Sequence, residues 1–507
     1  VSGGWGYHNL VADVDGYVWA VGLGTSGQKG DGTTVNTKQY VKIGKSYIEP
    51  NKNVLKMEVG QVEEVLAKVK ETFNLKRDEL ETKLTYRIID TDIARVDGLK
   101  VTALEIGRTY LVIESEELGI SATVEIEVVP DGGNAIPQIE AANDFTVALK
   151  SDGTVWTWGT NKLGQLGVGD LEERNQPVQI ESIPGLVREI SAIRNHALIL
   201  TETGEVYAFG HNQYGQIGNR TTTNVKIPEQ VMVQTGKDIE PLKDIIKIKA
   251  GKYESFAIDK NFDLWAWGWQ YGKYAQKVAK LEGTDVIDVT EDYIIKNDGK
   301  LYRLKDLEEI ATVDRVKHLS EGFDHTVMIT EDNKAYSIGK NAYGQLGNGN
   351  KENSLIEPVG VRQPDSENLI DNIKAIKAGE YYTIARTKDN KVYVWGSNTN
   401  NRLGQPNSVQ DSSLPIEYSG VSNVILVSAG YHHTAIADQE GFVWNFGLGT
   451  SGQLGNHENN NSVTPVMAGL YQLVGKLGNI KMLVGEQKEV NAEIEYFNLL
   501  KNGQSFF

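Results

Sequence analysis

The chain has 507 residues, of which 40% are hydrophobic and 23% charged, as is usual for a folded domain in water. Its 51 basic and 68 acidic residues give a net charge of -17, which argues against general nucleic-acid binding because phosphates need clustered Lys and Arg. The absence of Cys excludes disulfides, thiolate zinc sites and cysteine catalysis. No apolar run reaches about 18 residues, so no membrane insertion is predicted.

A long-range duplication links the two ends of the chain. The segment Gly22–Gln28 recurs unchanged at Gly447–Gln453, a shift of 425 positions (447 − 22). The segments Lys56–Gly60 and Lys481–Gly485 are related by the same shift. Because one shift covers two different kinds of sequence, it indicates a window of a tandem array with a unit of about 425 residues.

A shorter repeat lies inside this unit. Its clearest copy is Lys150–Gly159, in which two strand-like segments flank an Asp-Gly pair and the second ends in Trp-Gly. Asp-Gly favours the tight turn of a β-hairpin. A Gly-Gln-Leu-Gly element follows, and Gly-x-x-His-Thr precedes the hairpin in copies such as Gly322–Thr326. The Gly-Gln-Leu-Gly elements occupy 164–167, 344–347 and 452–455, with the variant Gly-Gln-Ile-Gly at 215–218.

This combination of motifs resembles the regulator-of-chromosome-condensation repeat, whose family forms seven-bladed β-propellers with about four strands per repeat. The third copy keeps Trp265–Gly268 but lacks the Gly-Gln-Leu-Gly element. The fourth is short and keeps little beyond its hairpin, so whether it forms a full blade stays open. The seven copies begin near Ala141, Ser191, Lys249, Val289, Ser320, Lys377 and Ser428.

Residues 45–130 have a different character. Polar and apolar residues alternate, as in Thr123–Val128, which is typical of a half-buried strand. The stretches Leu55–Gly60 and Ile93–Gly107 resemble the bacterial immunoglobulin-like group 2 domain. That resemblance implies a β-sandwich of the kind found in arrays on bacterial surface and secreted proteins.

The expected fold class is therefore all-β: a seven-bladed β-propeller plus an immunoglobulin-like β-sandwich, as a window of a tandem array. Whether residues 1–44 close the same propeller or belong to a preceding one stays open. The expected domains are the terminal blade of a preceding propeller at 1–44, the sandwich at 45–130, a linker at 131–140, the propeller at 141–471 and the start of a second sandwich at 472–507.

The histidines do not have the spacing of a metal site. Four of them occupy one position of the repeat, and other copies place Phe145, Glu254 or Tyr382 there. We therefore expect buried imidazoles that are hydrogen-bonded to a neighbouring strand, and we predict no metal, cofactor or catalytic site. These four are His8, His196, His325 and His433.

Most tryptophans recur at equivalent strand positions, which indicates packing between repeats. The segment from Trp269 to Tyr274 is different, because it follows the Trp-Gly of the third copy, where a turn is expected. Aromatic side chains in loops are good interface anchors. Trp269, Tyr271 and Tyr274 are thus the predicted protein-binding residues, with local packing as the alternative. The strand tryptophans are Trp156, Trp158, Trp265, Trp267, Trp395 and Trp444.

The predicted function is a non-enzymatic structural or protein-interaction module of a bacterial extracellular or cell-surface repeat protein. Multivalent display would raise effective concentration at a surface. Expected partners are a protein, a surface glycan or other copies of the chain, without nucleic acid or membrane insertion. One alternative is a secreted inhibitor or receptor that binds a protein through one propeller face. Another is a propeller lyase or hydrolase, which predicts carboxylates, His or Arg converging at the channel mouth.

Overall fold

The computed structural model divides into two compact units, Val1–Val128 and Val129–Phe507. Its helical content among the described residues is two short 3-10 turns, Ala279–Leu281 and Thr399–Asn401, which confirms the expected all-β class. In the same residues, no helix is long and apolar enough to cross a membrane. The structure describes residues 2–3, 8–13, 17–22, 37–42, 46–72, 79–235, 237–281, 283–406, 408–469, 472–475, 492–495 and 497–500.

The first unit begins with a four-stranded antiparallel sheet in which the strands are neighbours in chain order. The second and third strands form the central hairpin, in which His8 faces Gly22, and each outer strand pairs with one strand of that hairpin. The four strands are β1 (Ser2–Gly3), β2 (His8–Ala12), β3 (Val18–Gly22) and β4 (Thr37–Lys42).

The rest of the first unit contains three small sheets around one apolar core, with the orders β10-β13-β14-β6, β11-β12-β7 and β5-β8-β9. Val124 and Ile126 face this core, whereas Glu125 and Glu127 form ion pairs with Arg108, both at 3.1 Å. This division explains the alternating sequence of β14. The strands are β5 (Ser46–Pro50), β6 (Val54–Glu58), β7 (Val62–Glu64), β8 (Ala67–Glu71), β9 (Glu79–Leu80), β10 (Thr85–Ile88), β11 (Ala94–Asp97), β12 (Lys100–Ala103), β13 (Gly107–Ser115) and β14 (Ile120–Val129).

The second unit contains seven sheets in chain order, numbered sheets 1 to 7, with antiparallel pairing throughout except between β23 and β28 in sheet 3. Most have four strands. Sheet 1 has β15 (Gln138–Ala141), β16 (Phe145–Leu149), β17 (Val155–Gly159) and β18 (Arg174–Gln179), and sheet 2 has β19 (Val187–Ile193), β20 (His196–Thr201), β21 (Val206–Gly210) and β22 (Val225–Gln230). Sheet 3 has β23 (Met232–Thr235), β24 (Asp238–Pro241), β25 (Ile245–Ala250), β26 (Glu254–Asp259), β27 (Leu264–Gly268) and β28 (Gly272–Lys277), and sheet 4 has β29 (Val286–Val289), β30 (Tyr293–Lys296) and β31 (Leu301–Arg303).

The remaining sheets restore the four-stranded pattern. Sheet 5 has β32 (Val316–Glu321), β33 (His325–Thr330), β34 (Ala335–Gly339) and β35 (Ser354–Gly360), and sheet 6 has β36 (Ile373–Ala378), β37 (Tyr382–Thr387), β38 (Val392–Ser397) and β39 (Asp411–Tyr418). Sheet 7 has β40 (Val424–Ala429), β41 (His433–Asp438), β42 (Val443–Gly447) and β43 (Ser462–Met467), and a separate pair follows, β44 (Gln472–Gly475) with β45 (Ala492–Glu495).

The seven sheets form a closed ring. Neighbouring sheets contact one another in chain order, and β40 of sheet 7 contacts β15 of sheet 1. The closure includes a hydrogen bond from Ala141 N to Ser428 Oγ at 2.8 Å. The sheet at residues 2–42 belongs to the other compact unit, so the ring closes without it.

A recurring hydrogen-bond cluster joins adjacent sheets. Between sheets 2 and 3, the Gln216 carbonyl accepts from the Trp267 indole N–H and from the Ser255 hydroxyl, both at 2.8 Å. His196 Nε2 lies 3.0 Å from the Ser255 hydroxyl. The expected hydrogen-bonded imidazole is thus confirmed here and in two further copies, while the His8 side chain lies outside the described residues. The corresponding groups are Gln345, Trp395, Thr383 and His325 between sheets 5 and 6, and Gln453, Trp158, Thr146 and His433 between sheets 7 and 1.

Where the histidine is replaced, its neighbours change with it. Between sheets 1 and 2, Phe145, Ala197 and Phe209 are fully buried in one apolar cluster. Between sheets 6 and 7, the Tyr382 hydroxyl lies 2.8 Å from that of Thr434. These two contacts therefore keep matched chemistry on their two sides, apolar in the first and polar in the second.

The strand tryptophans divide into two groups. Trp158, Trp267 and Trp395 are fully buried between sheets, which confirms the packing prediction for them. The other three are half-buried, and their indoles bond within their own sheet, as from Trp265 Nε1 to Asp259 Oδ2 at 2.9 Å. Trp156 and Trp444 behave in the same way, with Thr154 and Asp438 as acceptors.

The two degenerate copies fold differently from the others. Sheet 3 has six strands, because the hairpin β23–β24 pairs with the outer strand β28. Sheet 4 has three strands within the described residues. The fourth strands of the five regular sheets each contain a proline, which protects an exposed sheet edge against pairing. These are Pro177, Pro228, Pro358, Pro415 and Pro465.

The 425-residue shift also relates strand pairings. His8 faces Gly22 in the first sheet, and His433 faces Gly447 in sheet 7. The pairing of β5 with β8, where Ile48 faces Val69, recurs in β44 with β45, where Leu473 faces Ile494. The duplication seen in the sequence is therefore a duplication of structure.

The last described residues pack on the ring. Phe497 makes edge contacts with Trp156 and Trp158, each with ring centroids 5.6 Å apart. Leu499 is fully buried, and its backbone bonds to Gly441 and Ser151. Residues 497–500 thus cover the junction of sheets 1 and 7, and the second sandwich expected at 472–507 stays a prediction.

Replacing Ser255 by Ala should destabilise the ring. The change leaves the buried His196 imidazole without its hydroxyl partner, a loss of about 1–3 kcal/mol. Urea unfolding measures this loss of stability. The matched control is Ser408→Ala at an exposed loop position, whose free energy of unfolding should stay within about 0.5 kcal/mol of the wild type. Equal stability of the two variants would contradict the role assigned to the cluster.

The buried histidines should make stability depend on pH. Burial lowers the pKa of His196 and His325 to about 3 and that of His433 to about 4. Below pH 6.5 the unfolded chain takes up protons that the folded chain refuses, so stability falls as pH falls. The slope is about 1.4 kcal/mol per pH unit for each histidine. Chemical unfolding between pH 7 and 5 should show a slope smaller by that amount in His325→Gln, and an unchanged slope would count against this assignment.

Candidate functional site at the mouth of the ring

One end of the ring collects the connections between first and second strands. Because the strands are antiparallel, the connections between third and fourth strands lie at the same end. We call the short first connections the mouth and the long second ones the rim. The mouth comprises residues 142–144, 194–195, 251–253, 290–292, 322–324, 379–381 and 430–432.

The rim is built on the Gly-Gln loops. In the first, Asn161 Oδ1 accepts from the Leu166 N–H, and Gln165 Oε1 accepts from the Leu163 N–H. Gly164 has φ 80°, and a Cβ there would lie 2.6 Å from the Val225 carbonyl of sheet 2, so only glycine fits. The motif therefore both shapes the loop and brings it against the next sheet.

The rim is interrupted above sheets 3 and 4. In sheet 3, residues 269–271 alone connect β27 to β28, which are the third and fourth strands of the repeat. Sheet 4 has no fourth strand among the described residues. The mouth is therefore most accessible on this side. The long rim loops of the other five sheets are 160–173, 211–224, 340–353, 398–406 with 408–410, and 448–461.

A cluster of carboxylates surrounds one lysine below this gap. Lys252 Nζ lies 3.2 Å from Glu291 Oε2 and 2.8 Å from Glu321 Oε1. Glu321 also accepts from the Glu291 N–H at 2.9 Å. Glu254 is buried beside Glu291, and Asp292 is exposed. We call Glu254, Glu291, Asp292 and Glu321 the acidic sector.

Crowding of like charges changes the acidity of this sector. Burial, and then the Glu321 carboxylate, raises the pKa of Glu291 to about 9. Burial also raises the pKa of Glu254, and desolvation by the surrounding mouth residues raises that of Asp292 although its surface remains exposed. The pKa of Lys252 is raised: burial opposes its charge, but Glu321 and Glu291 favour it. At neutral pH the sector therefore retains a proton on the Glu254–Glu291 pair beside a charged lysine.

A second charged group lies on the other side of the mouth. Arg402 Nη1 contacts Glu380 Oε2 at 2.9 Å and the Tyr431 carbonyl at 2.6 Å. His432 Nδ1 lies 2.9 Å from Asp144 Oδ1, and this hydrogen bond raises the pKa of His432. In this group each carboxylate has a basic partner, unlike in the acidic sector.

Aromatic side chains border the acidic sector. Trp269 is 62% exposed, and its ring centroid lies 5.9 Å from Tyr253. Tyr214, also exposed, lies 4.8 Å from Tyr253 in an edge-to-face contact. The Arg194 guanidinium lies over the Tyr253 ring at 4.4 Å and 5.7 Å from the centre of Phe323. These residues form a surface that extends from the rim gap to the ring axis.

The axis below the mouth is narrow. A cavity of about 30 Å³ lies between the first strands, with Tyr431, Glu321 and Lys249 in its lining. About 10–15 Å³ already holds one water, so the cavity has room for water-sized species. Any larger partner must bind at the mouth itself.

The structure separates the three residues predicted to bind a protein. Trp269 lies at the mouth, in the rim gap. Tyr271 packs edge-on against the buried Phe256, with centroids 6.2 Å apart. Tyr274 lies half-buried on β28 and shares no ring contact with the other two in the described part of the chain. Their role in binding stays a prediction.

The acidic sector was not predicted from the sequence. Its members come from three repeats, at 254, 291–292 and 321. Comparison of the short connection before the second strand, together with the residue on each side of it, could have found these four carboxylates in the third to fifth copies, although Asp144 and Glu380 occupy similar positions in the first and sixth. Among the described residues, no group of three or more His, Asp or Glu side chains could hold a metal ion.

A ring of sheets joined by this repeated Gly-Gln loop defines a repeat-type β-propeller. The RCC1-like domain model matches residues 114–487, and the chain belongs to that family, which confirms the first resemblance. The ultraviolet-B receptor UVR8 of Arabidopsis thaliana is 28% identical over 328 residues, which cover 64% of this chain and 67% of that protein. Protein pim1 of Schizosaccharomyces pombe is 28% identical over 58% of this chain and 53% of its own length.

Similarity to solved structures is weaker. The crystal structure of Prp20p from Saccharomyces cerevisiae, a protein described with binding properties to Gsp1p and histones, is 20% identical to this chain with a TM-score of 0.41. The match covers 77% of this chain and 88% of that one. The chain thus spans about half the length of pim1 and most of Prp20p.

Replacing Glu291 by Gln should stabilise the protein at pH 8. Between pH 4.5 and 9 the folded chain keeps a proton that the unfolded chain releases, so Glu291 lowers stability as pH rises. Glutamine does not titrate, so the substitution removes this pH dependence. The free energy of unfolding should rise by about 2 kcal/mol or more at pH 8 and change little at pH 5. Thermal unfolding measures it, with the exposed rim residue Glu172→Gln as control. Loss of stability in Glu291→Gln at pH 8 would show that the residue is ionised.

Proposed function

We propose that the chain is a non-enzymatic protein-interaction module that binds its partner at the mouth of the ring. The observation that supports this most is Trp269, which is 62% exposed in the rim gap beside Tyr253 and Tyr214. A large exposed aromatic side chain is unfavourable in water and is enriched where partners bind. The mouth also combines it with Arg194, the second kind of residue that commonly anchors interfaces.

The architecture we propose has seven blades and a sandwich. Sheets 1 to 7 would be the blades, with sheet 4 as a reduced one, and residues 45–130 an immunoglobulin-like domain with 131–140 as linker. The shared register of β5–β8 and β44–β45 supports 472–507 as the start of a second sandwich. The matching registers of residues 2–42 and sheet 7 support a preceding propeller.

The bacterial extracellular or cell-surface location stays a prediction. The two curated relatives named above are eukaryotic, and the family occurs in settings other than a bacterial surface. Tandem units would favour multivalent binding to a protein, a surface glycan or other copies of the chain. The full reading frame tests this directly through an export signal and a continued 425-residue unit.

An enzyme acting at the channel mouth is the second candidate. The convergence of Glu254, Glu291 and Glu321 on Lys252 favours it, because paired carboxylates of different acidity can act as acid and base. Incubation with bacterial surface polysaccharides tests it. New reducing ends or unsaturated products formed by the wild type and lost in Glu291→Gln would support the enzyme and contradict the first proposal.

A photo-crosslinking amino acid at position 269 should capture the partner from an extract of the source cells. The control places the same photo-crosslinking amino acid at position 440. Glu440 lies in the exposed turn between β41 and β42, at the opposite end of the ring. We expect a discrete protein adduct from position 269 alone. Adding Tyr214→Ser should reduce its yield about tenfold if Tyr214 is an interface anchor. Equal adducts from both ends would contradict a docking face at the mouth.

A further inference from the structure

The acidic sector and the rim gap coincide. The two repeats that lack the long rim loop, sheets 3 and 4, also contribute Glu254, Glu291 and Asp292. Glu321 follows from sheet 5. The degenerate copies therefore do more than lose a motif, because they expose the part of the mouth where carboxylates outnumber basic groups.

The charge in this sector is not balanced by its own neighbours. Four carboxylates, two of them buried, share Lys252, which contacts Glu291 and Glu321. The other nearby cation is Arg194, whose guanidinium stacks on Tyr253. The remaining basic groups at the mouth, Arg402 and His432, are paired with Glu380 and Asp144. The sector thus has room for an additional positive charge.

Two buried polar atoms beside the sector have no hydrogen-bond partner among the described residues. One is the hydroxyl of Tyr431, a residue only 6% exposed that lines the axial cavity. Its electrostatic neighbours are Arg194, Lys252, Glu321 and Glu291, which places it beside the carboxylates. The other is Arg194 Nη1. Buried polar groups usually have a partner, so these atoms point to a ligand with both a donor and an acceptor.

We propose that the mouth binds a basic segment of a protein partner, with an Arg or Lys side chain of that segment entering the acidic sector through the gap above sheets 3 and 4. This inference rests on the proposed protein-binding function and names the chemistry of the partner. The cationic N–H groups would bond to Glu291 and Asp292 and, through a water in the axial cavity, to the Tyr431 oxygen. A main-chain carbonyl of the same segment would accept from Arg194.

The aromatic border fits such a side chain. A cation over the face of Trp or Tyr is attracted by the ring electrons. Trp269 and Tyr253 stand at the entrance, and the existing stack of Arg194 on Tyr253 shows this contact within the same mouth. An entering cation would also displace the proton held on the Glu254–Glu291 pair. Binding should therefore release a proton and strengthen as pH rises.

The test uses the full chain and a fluorescein-labelled peptide of alternating Arg and Gly, titrated by fluorescence anisotropy at about 0.15 M salt, where long-range charge effects are screened. A Glu-Gly peptide is the charge-reversed probe. The variant pair is Glu291→Gln with Asp292→Asn. The matched control, Glu172→Gln with Glu440→Gln, replaces the same number of carboxyl groups at exposed positions in the rim and at the opposite end.

We expect the Arg-Gly peptide to bind about tenfold more weakly to the mouth variant and within about twofold to the control. Trp269→Leu should weaken binding by about threefold or more through the lost cation–π contact. Wild-type affinity should rise between pH 6 and 8, and the rise should be smaller in Glu291→Gln. Unfolding curves recorded for each variant show whether it is folded at the assay temperature.

Several results would overturn the proposal. Equal weakening by the mouth and control variants would mean that the peptide responds only to net charge. Preference for the Glu-Gly peptide would mean that Arg194 directs an acidic partner. No binding of the Arg-Gly peptide, while position 269 still crosslinks to a protein, would end this inference and leave the proposed function intact. Failure of both experiments would end both.

Discussion

The ring depends on one kind of main-chain carbonyl, that of the Gln in the Gly-Gln loops of sheets 2, 5 and 7. At three junctions it accepts both an indole N–H and a hydroxyl from the next sheet, as Gln216 does from Trp267 and Ser255. A loop of one sheet is thereby fixed to the buried strands of its neighbour, and a histidine completes the set. Repeat proteins gain stability chiefly from such nearest-neighbour contacts, and here the last contact, between sheets 7 and 1, closes the series.

This dependence explains which features the sequence could predict. Trp-Gly, Gly-Gln-Leu-Gly and the repeated histidine each recur because one junction recurs, so their spacing indicated the number and order of the sheets and the environment of His196 and its equivalents. The alternating residues of β14 likewise indicated a buried face. These are local patterns whose consequences lie within one repeat or between two successive repeats.

The mouth could not be predicted in the same way. Lys252, Glu291 and Glu321 lie 39 and 30 positions apart in sequence, and the packing of sheets 3, 4 and 5 side by side brings their short connections together. No single repeat shows a motif there. The sequence singled out Trp269 as a possible binding residue, which stays a prediction, but its neighbours Tyr253 and Tyr214 follow from the curvature of the ring rather than from spacing. Tyr271, two residues further along the chain, packs instead against Phe256.

The same junction accounts for the location of the acidic sector. Sheets 3 and 4 lack the Gly-Gln loop, so the next sheet receives no carbonyl from them, and Glu254 occupies the position of the junction histidine. A carboxylate at this position cannot form the hydrogen bonds that the histidine forms at the regular junctions. Glu254 lies instead beside Glu291, and its pKa is raised. The Gly-Gln loop, which four repeats contain and in which sheet 6 has Arg402 at the Gln position, is therefore missing from two adjacent repeats. Such departures from an otherwise consistent pattern are expected at functional sites. The rest of the ring can tolerate them because its other junctions keep their matched polar or apolar contacts, so the opening and its unbalanced charge are held on a rigid frame.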